Sequence, residues 1–330
     1  MNIIYITLGL IAIYLYVSFV SLLWEGLDRK LVARMQRRIG PPILQPFYDF
    51  LKLLSKESII PRDANKLFEL APVLALASSI ALLAYTPLGF EPLLATKGDV
   101  IVFIYLLTLI AFIRVIGAVS SGSPYAQIGA QREIVMIASR EVPMMLGLFA
   151  ILWRLSKLGV EKPFSLGTFY QYNIWEIGTP ATIVGTLILL VVFIFWLASE
   201  IEVGYFNIPE AETEVAEGPM AEYSGRHLAL FKLSNALKEF ASASLVVAIF
   251  FPWGLSGYLG ISGIGALIID LLFHTLKVFA VLFVSMSVFR AVTGRLKITQ
   301  AVGMFWSRII PMSLIGVILL AIDVLGGVIA

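Results

Sequence analysis

The chain has no cysteine and only two histidines, His227 and His274, in 330 residues. Without thiolates it can neither close a disulfide nor ligate an iron–sulfur cluster, so any redox centre it serves sits on another chain. Two histidines are too few for a self-sufficient haem or a histidine-rich metal site. Charge is scarce as well: 14% of residues are Asp, Glu, Lys or Arg, where a soluble domain carries about 25%. In their place 59% of residues are hydrophobic, and the mean hydropathy is +0.92. This excludes a soluble globular domain and defines an all-α, polytopic membrane protein. The N-terminus has no basic leader region and no small-residue cleavage motif, so its apolar run is read as a retained helix.

Apolar runs of the roughly 20 residues that cross a bilayer occur eight times, at residues 2–24, 67–87, 99–119, 133–153, 179–199, 236–253, 264–288 and 302–328. Arg140, Glu141 and Pro143 fall inside the fourth, and the proline is expected to bend it. No repeat or low-complexity tract divides the chain, so residues 1–330 read as one membrane domain. Odd-numbered connections hold 15 Lys and Arg against four in the even ones. The positive-inside rule then puts the odd connections in the cytoplasm and both termini outside, in the cell membrane.

The first connection, residues 25–66, is long and basic. Leu31, Val32, Met35 and Ile39 recur at helical spacing among Arg34, Arg37 and Arg38, which predicts an interfacial amphipathic helix. Gly40, Pro41 and Pro42 stop it. A second amphipathic helix is predicted over residues 45–56. Such a surface serves either anionic lipid head groups or a soluble partner.

The fifth connection, residues 200–234, has the opposite sign. Glu200, Glu202, Glu210, Glu212, Glu214, Glu217 and Glu222 place seven acids and no base in 23 residues. Like charges at that density repel and resist leaving water. They form a solvated acidic loop, hold a partner, or carry protons.

Ionisable residues inside spans are costly and face a bundle interior or a wet cavity. Here they include Arg114, Glu133, Arg140, Glu141, Lys238, Glu239, Asp270, His274, Lys277 and Asp323. Glu133 and Arg140 share a helical face, as do Asp270, His274 and Lys277. Taken singly, each has a structural explanation: Arg114 or Lys277 snorkels, His274 is a hydrogen-bonded core residue, Glu133 and Arg140 are a buried pair. Taken together and continuous with the acidic loop, they are what proton relay requires, carboxylates able to hold and release a proton.

The run over residues 28–57, DRKLVARMQRRIGPPILQPFYDFLKLLSKE, resembles the first-connection signature of the H-type subunit of respiratory complex I and its hydrogenase relatives. Glu200, Pro209, Glu210, Ala211, Glu212, Glu214, Gly218, Glu222, Tyr223, Ser224 and Gly225 fall on that family's acidic loop. Residues 139–143, SREVP, are similar to its SYExP element, and Arg290, Ala291, Arg295 and Gln300 to its RAxxPRxRxDQ segment. The resemblance spans nearly the whole chain. It implies a subunit that anchors a soluble redox arm and roofs a quinone chamber in complex I. Its loop glutamates and Glu133, Glu141 and Glu200 would then form a path toward antiporter-like pumping subunits. Together with Arg140, Glu202, Glu217, Asp270, His274 and Lys277 these are the candidate coupling residues. Arg29, Lys30, Arg34, Arg37 and Arg38 would face the soluble arm.

The sequence departs from the quinone enzymes. The segment from Gly40-Pro41 to Leu44-Gln45-Pro46 is shortened, Asp28 and Asn207 stand where the family has Glu and Asp, and Val203-Gly204-Tyr205 replaces RxP. The resemblance therefore implies the hydrogenase or polysulfide (sulfane) reductase branch. Its expected partners are soluble hydrogenase-like large and small subunits, an iron–sulfur subunit, antiporter-like membrane subunits and lipid, with nucleic acid not among them. Iron–sulfur clusters and a nickel–iron centre would sit on those partners, and this chain would bind no metal or cofactor. The alternative is a quinone-binding subunit. An autonomous secondary transporter is disfavoured by the lack of paired broken helices in inverted repeats.

Overall fold

The computed structural model describes residues 3–175 and 179–325, with the side chains of Ile3, Glu212, Thr213 and Asp323 outside that description. Eight of its helices are long and apolar enough to cross a membrane. In chain order they are α1 (Ile3–Met35), α3 (Lys66–Tyr85), α4 (Asp99–Val119), α5 (Pro124–Lys157), α6 (Pro180–Glu200), α7 (Gly225–Phe250), α8 (Ile264–Val292) and α9 (Ile298–Ile322), with the shorter α2 (Gln45–Ser55) in the first connection. No strand occurs among the described residues. The chain is an all-α, multi-pass membrane protein.

The bundle is built around α7, the most enclosed span. Its sequence alternates small residues, Ala241, Ser242, Ala243 and Ser244, all buried. Small side chains let neighbouring backbones approach closely, the main source of helix association where lipid removes the hydrophobic drive. The serine hydroxyls are satisfied locally or across the contact. Ser242 donates to the Lys238 carbonyl at 2.8 Å, and Ser79 of α3 meets Ser234 of α7 at 2.6 Å between oxygens. The outer helices put their large apolar residues outward instead. Ile4, Leu8, Ile11, Leu15 and Phe19 of α1 are all more than half exposed and follow a helical stripe, the face a bilayer would cover.

Three elements differ from the sequence expectation. No separate amphipathic helix covers residues 31–39, because α1 runs on unbroken to Met35 before turning. The Gly26 within it does not break the helix. It is a crossing point, where a Cβ would lie 1.8 Å from the Ile43 carbonyl oxygen. The α2 helix forms where expected. The α7 helix begins at Gly225, well before the expected 236, so Arg226 and Lys232 belong to a helix and the acidic connection ends at Ser224. Polar side chains on those first turns hid the helix from a hydropathy count. Finally, α5 passes through Pro143 as one helix. The Pro143 carbonyl accepts the Ser313 hydroxyl of α9 at 2.9 Å.

Both C-terminal spans contain a π-helical turn, Phe283–Val288 in α8 and Phe305–Ile309 in α9. Such turns are frequent at functional sites. The first of them sets Ser287 and Arg290 against Asp28 of α1, with Ser287 donating at 2.6 Å and Arg290 closing an ion pair.

Helix ends are not level. Glu200 of α6 and Lys238 of α7 lie side by side at 3.0 Å. From there α6 continues about 30 Å and α7 only about 18 Å to their far ends, at 1.5 Å per residue. The α7 helix therefore stops some 12 Å short, inside the depth that α6 spans. Carbonyls at a helix end need partners, above all in apolar surroundings. Trp175 Nε1 donates to the Phe250 carbonyl at 2.6 Å, and Lys277 Nζ donates to those of Phe251 and Trp253, each at 2.7 Å.

Candidate functional site

The loop that leaves α6 turns back at once, because Glu202 adopts a left-handed backbone at φ 58°. A non-glycine residue there is strained by about 1–3 kcal/mol. The turn aims the Glu202 carboxylate at Arg114 of α4. Ala216 and Glu217 are left-handed too, followed by Gly218 at φ 50°. Only glycine fits at 218, since a Cβ would lie 2.0 Å from the Pro209 carbonyl oxygen. The loop is thereby folded flat against α5 and α4. Tyr223 closes it, its ring stacked on Phe68 at 4.1 Å and its hydroxyl donating to the Phe68 carbonyl at 3.1 Å. Burial pushes the Tyr223 hydroxyl above its ordinary pKa.

Within this frame the charges form one connected set. Arg114, 4% exposed, makes ion pairs with Glu202, with Glu133 at 3.2 Å and with Glu210 at 3.5 Å. Arg140, 1% exposed, holds Glu133 at 3.1 Å, Glu200 at 2.7 Å and Glu141 at 4.0 Å. Lys238 takes the other Glu200 oxygen at 3.0 Å. Glu133 bridges the two arginines. Neutralising Glu200 would leave Lys238 without an ion pair among the described residues, whereas Arg114 and Arg140 each keep two carboxylates when one is lost. Each ion removed from water costs several kcal/mol, repaid only by such multiple pairing.

Two adjoining cavities open onto the set. One, of about 150 Å³, is lined by Arg114, Glu200, Glu202, Lys238, Glu239 and Arg290 among others. The second, of about 350 Å³, includes Glu217, Met220 and Lys232. Asn207, Glu210 and Asn235 line both. The Glu210 side chain is one-third exposed, and it is into these cavities that it opens. Burial pushes its carboxyl above the usual range, Arg114 opposes, and Glu133 and Glu217 add to the rise. An apolar cavity of about 310 Å³ lies elsewhere, and Lys277 is the one titratable residue in its lining.

The candidate residues divide accordingly. Glu133, Arg140, Glu141, Glu200, Glu202 and Glu210 come together. Glu214 is exposed and pairs with Arg132 on the rim of the loop. Glu217 is exposed at the second cavity, Glu222 is partly exposed with no ion pair among the described residues, and the side chain of Glu212 lies outside the description. Asp270, His274 and Lys277 are not part of this set. Asp270 accepts the Leu255 and Ser256 amides at 2.8 and 2.9 Å, His274 bonds Ser244 at 2.7 Å, and Lys277 caps the α7 end. Asp270 and Lys277 fasten the segment after α7, about 18 Å from Lys238 along that helix, and His274 holds α8 to Ser244, about 9 Å from it.

Sequence reasoning singled out Arg140 but missed two other cations of the set. Arg114 does not snorkel but ties three carboxylates, and Lys238 is its counterpart on α7. The signal was there: two buried-span bases within reach of an acidic loop need acidic partners. Of the basic residues in the first connection, Arg29 pairs with Glu25 and with Asp49 at 3.2 Å. Lys30 is partly exposed, and Arg34, Arg37 and Arg38 are exposed. The end of this connection meets the acidic loop directly. Ser224 accepts the Ile59 amide at 2.9 Å, and Ser58 accepts the Arg226 amide at 3.1 Å.

Fold and site together define a polytopic membrane subunit whose loop side carries a buried, cavity-lined ion-pair network. The profile of the family described as NADH dehydrogenase matches residues 8–321, and the chain belongs to that family, in its subunit 1 (H-type) group. It is 32% identical over 261 residues to Hydrogenase-4 component C of Escherichia coli strain K12, covering 78% of this chain and 79% of that one. It is 30% identical over 305 residues to the H-type subunit of the NADH-quinone oxidoreductase of Brevibacillus brevis, covering 90% and 86%. Among solved structures it superposes on a chain of the membrane-bound sulfane sulfur reductase, an archaeal respiratory membrane complex, with a TM-score of 0.81 and 27% identity. That match covers 96% of this chain and 99% of the other.

Proposed function

We propose that this chain docks a soluble redox arm and couples its chemistry to ion movement, in a complex of the hydrogenase or sulfane-reductase type. The observation that carries the reading is the unbroken ion-pair chain from Glu210 at the cavity mouth, through Arg114, Glu133 and Arg140, to Glu200, Lys238 and Glu141. A charge change beneath the soluble arm would shift the strained 201–224 loop. Because every carboxylate shares a cation with the next, the shift would pass along the chain to Glu141. The exposed Arg34, Arg37 and Arg38, with Arg29 and Lys30 behind them, would meet the arm, which would bring the iron–sulfur clusters and a nickel–iron centre. Antiporter-like membrane subunits would receive the disturbance, and both termini would lie outside the cell.

The experiment is purification of the native complex through this chain, with metal analysis and a hydrogen-evolution assay. Nickel with hydrogen evolution is the expected result. Iron without nickel, with clusters oxidised by polysulfide, would indicate the sulfane branch. Glu141→Gln in that complex should abolish ion movement while electron transfer persists; equal loss of both would overturn the coupling role. A quinone-binding role is the second reading, supported by the NADH-quinone oxidoreductase relative that covers most of the chain. Binding of a quinone analogue to the assembled complex would establish it.

A further inference from the structure

Glu239 lies next to Lys238 on α7 and lines the 150 Å³ cavity. Four carboxylates and three cations line that space: Glu200, Glu202, Glu210 and Glu239 against Arg114, Lys238 and Arg290. Three of the four carboxylates are committed. Glu200 holds Arg140 and Lys238, and Glu202 and Glu210 hold Arg114. Arg290 is taken up by Asp28, which Ser287 also holds. Among the described residues Glu239 makes no ion pair and no hydrogen bond, and the charges that face it are Glu25 and Asp28 of α1, Arg290 of α8 and its neighbour Lys238.

This difference is chemical. A proton added to Glu200, Glu202 or Glu210 breaks an ion pair with a buried cation. A proton added to Glu239 breaks none. With both nearby cations already paired to other acids, Glu239 can take or give up a proton without breaking an ion pair. Its position is also particular. Through Glu25 it faces the Glu25–Arg29–Asp49 set of the first connection, and through Lys238 and the cavity it reaches the central network.

We propose that Glu239 is the proton-holding residue of this cavity, standing between the first connection and the central ion pairs. The inference rests on the coupling role proposed above. In one cycle the Glu239 carboxylate takes one proton from a hydronium ion in the cavity water to become the neutral acid, then gives that proton back to a cavity water. No electron moves in either step.

The test uses the native complex in liposomes with Glu239→Gln, Glu239→Asp and Glu141→Gln side by side. Electron transfer, coupled ion movement, thermal stability and the infrared band of protonated carboxyl groups are read for each. Glu239→Gln is expected to lose the carboxyl band and at least about tenfold of coupled ion movement, with electron transfer kept, and Glu239→Asp to restore both. Unchanged band and ion movement in Glu239→Gln would overturn the assignment. So would a joint fall of electron transfer and stability that Glu239→Asp does not rescue, which marks a structural residue. If Glu141→Gln uncouples and Glu239→Gln does not, the assignment falls and the coupling role stands. If neither uncouples, the coupling role itself falls.

Discussion

Arg140 touches three carboxylates while almost fully enclosed. Replacing it with methionine, of similar length, leaves Glu133 and Glu200 short of a buried partner. The expected loss is about 3–5 kcal/mol, read as a large drop in the thermal stability of the purified complex. Lysine at the same position should recover part of it but not all, since one ammonium cannot match the guanidinium fork. At this scale the sequence was informative about which acids matter and silent about their partners. Glu133 and Arg140 announced themselves by a shared helix face. Arg114 did not, because a lone arginine toward a span end reads as a snorkelling side chain until the loop that covers it is known. Glu239 was visible as a charge, yet its lack of a partner is a property of three other helices.

Among elements, the junction of α1 and α2 is pinned by Asp49, which accepts Gln45 at 2.9 Å and Arg29 at 3.2 Å. Burial alone would raise its carboxyl, but those hydrogen bonds and the Arg29 charge hold it below the ordinary value. The folded value lies under the unfolded one, so the pair stabilises at pH above the usual carboxylate range and is lost as pH falls through the depressed value. Being one-third exposed, the pair is worth less than about 1 kcal/mol. Asp49→Asn should flatten the acid limb of a stability titration slightly, and a variant with the same acid limb as the parent would contradict this. The short end of α7 makes a different prediction. Lys277→Met should speed amide exchange over residues 251–256 while leaving ion movement intact, because that lysine serves backbone carbonyls and not the relay. Its periodicity with Asp270 and His274 looked like a relay in the sequence, since a polar stripe has the same spacing whether it feeds a pathway or fastens a loop.

Across the whole molecule, hydropathy was enough to locate eight spans because their apolar runs are about as long as a bilayer core is thick. It failed at helix ends, as after Gly225, where exposed Arg226 and Lys232 lower the hydropathy of turns that are nonetheless helical. The absence of cysteine makes orientation directly measurable. Arg38→Cys and Tyr258→Cys, both at exposed positions, should react with a membrane-impermeant thiol reagent from opposite sides, Arg38→Cys from the cytoplasm. Labelling of both from one side would refute the proposed topology.

Glu200 is the last residue of a span whose length equals the hydrocarbon thickness of a bilayer, about 30 Å. Lys238, Arg140 and Arg114 lie alongside it, so the entire network sits near one surface of the membrane. A charge is worth about 2.3 kcal/mol per 100 mV only if it crosses the full potential. Protons shifting laterally among these carboxylates cross almost none of it. Their movement is therefore nearly silent to membrane voltage, and the resting potential neither helps nor hinders it.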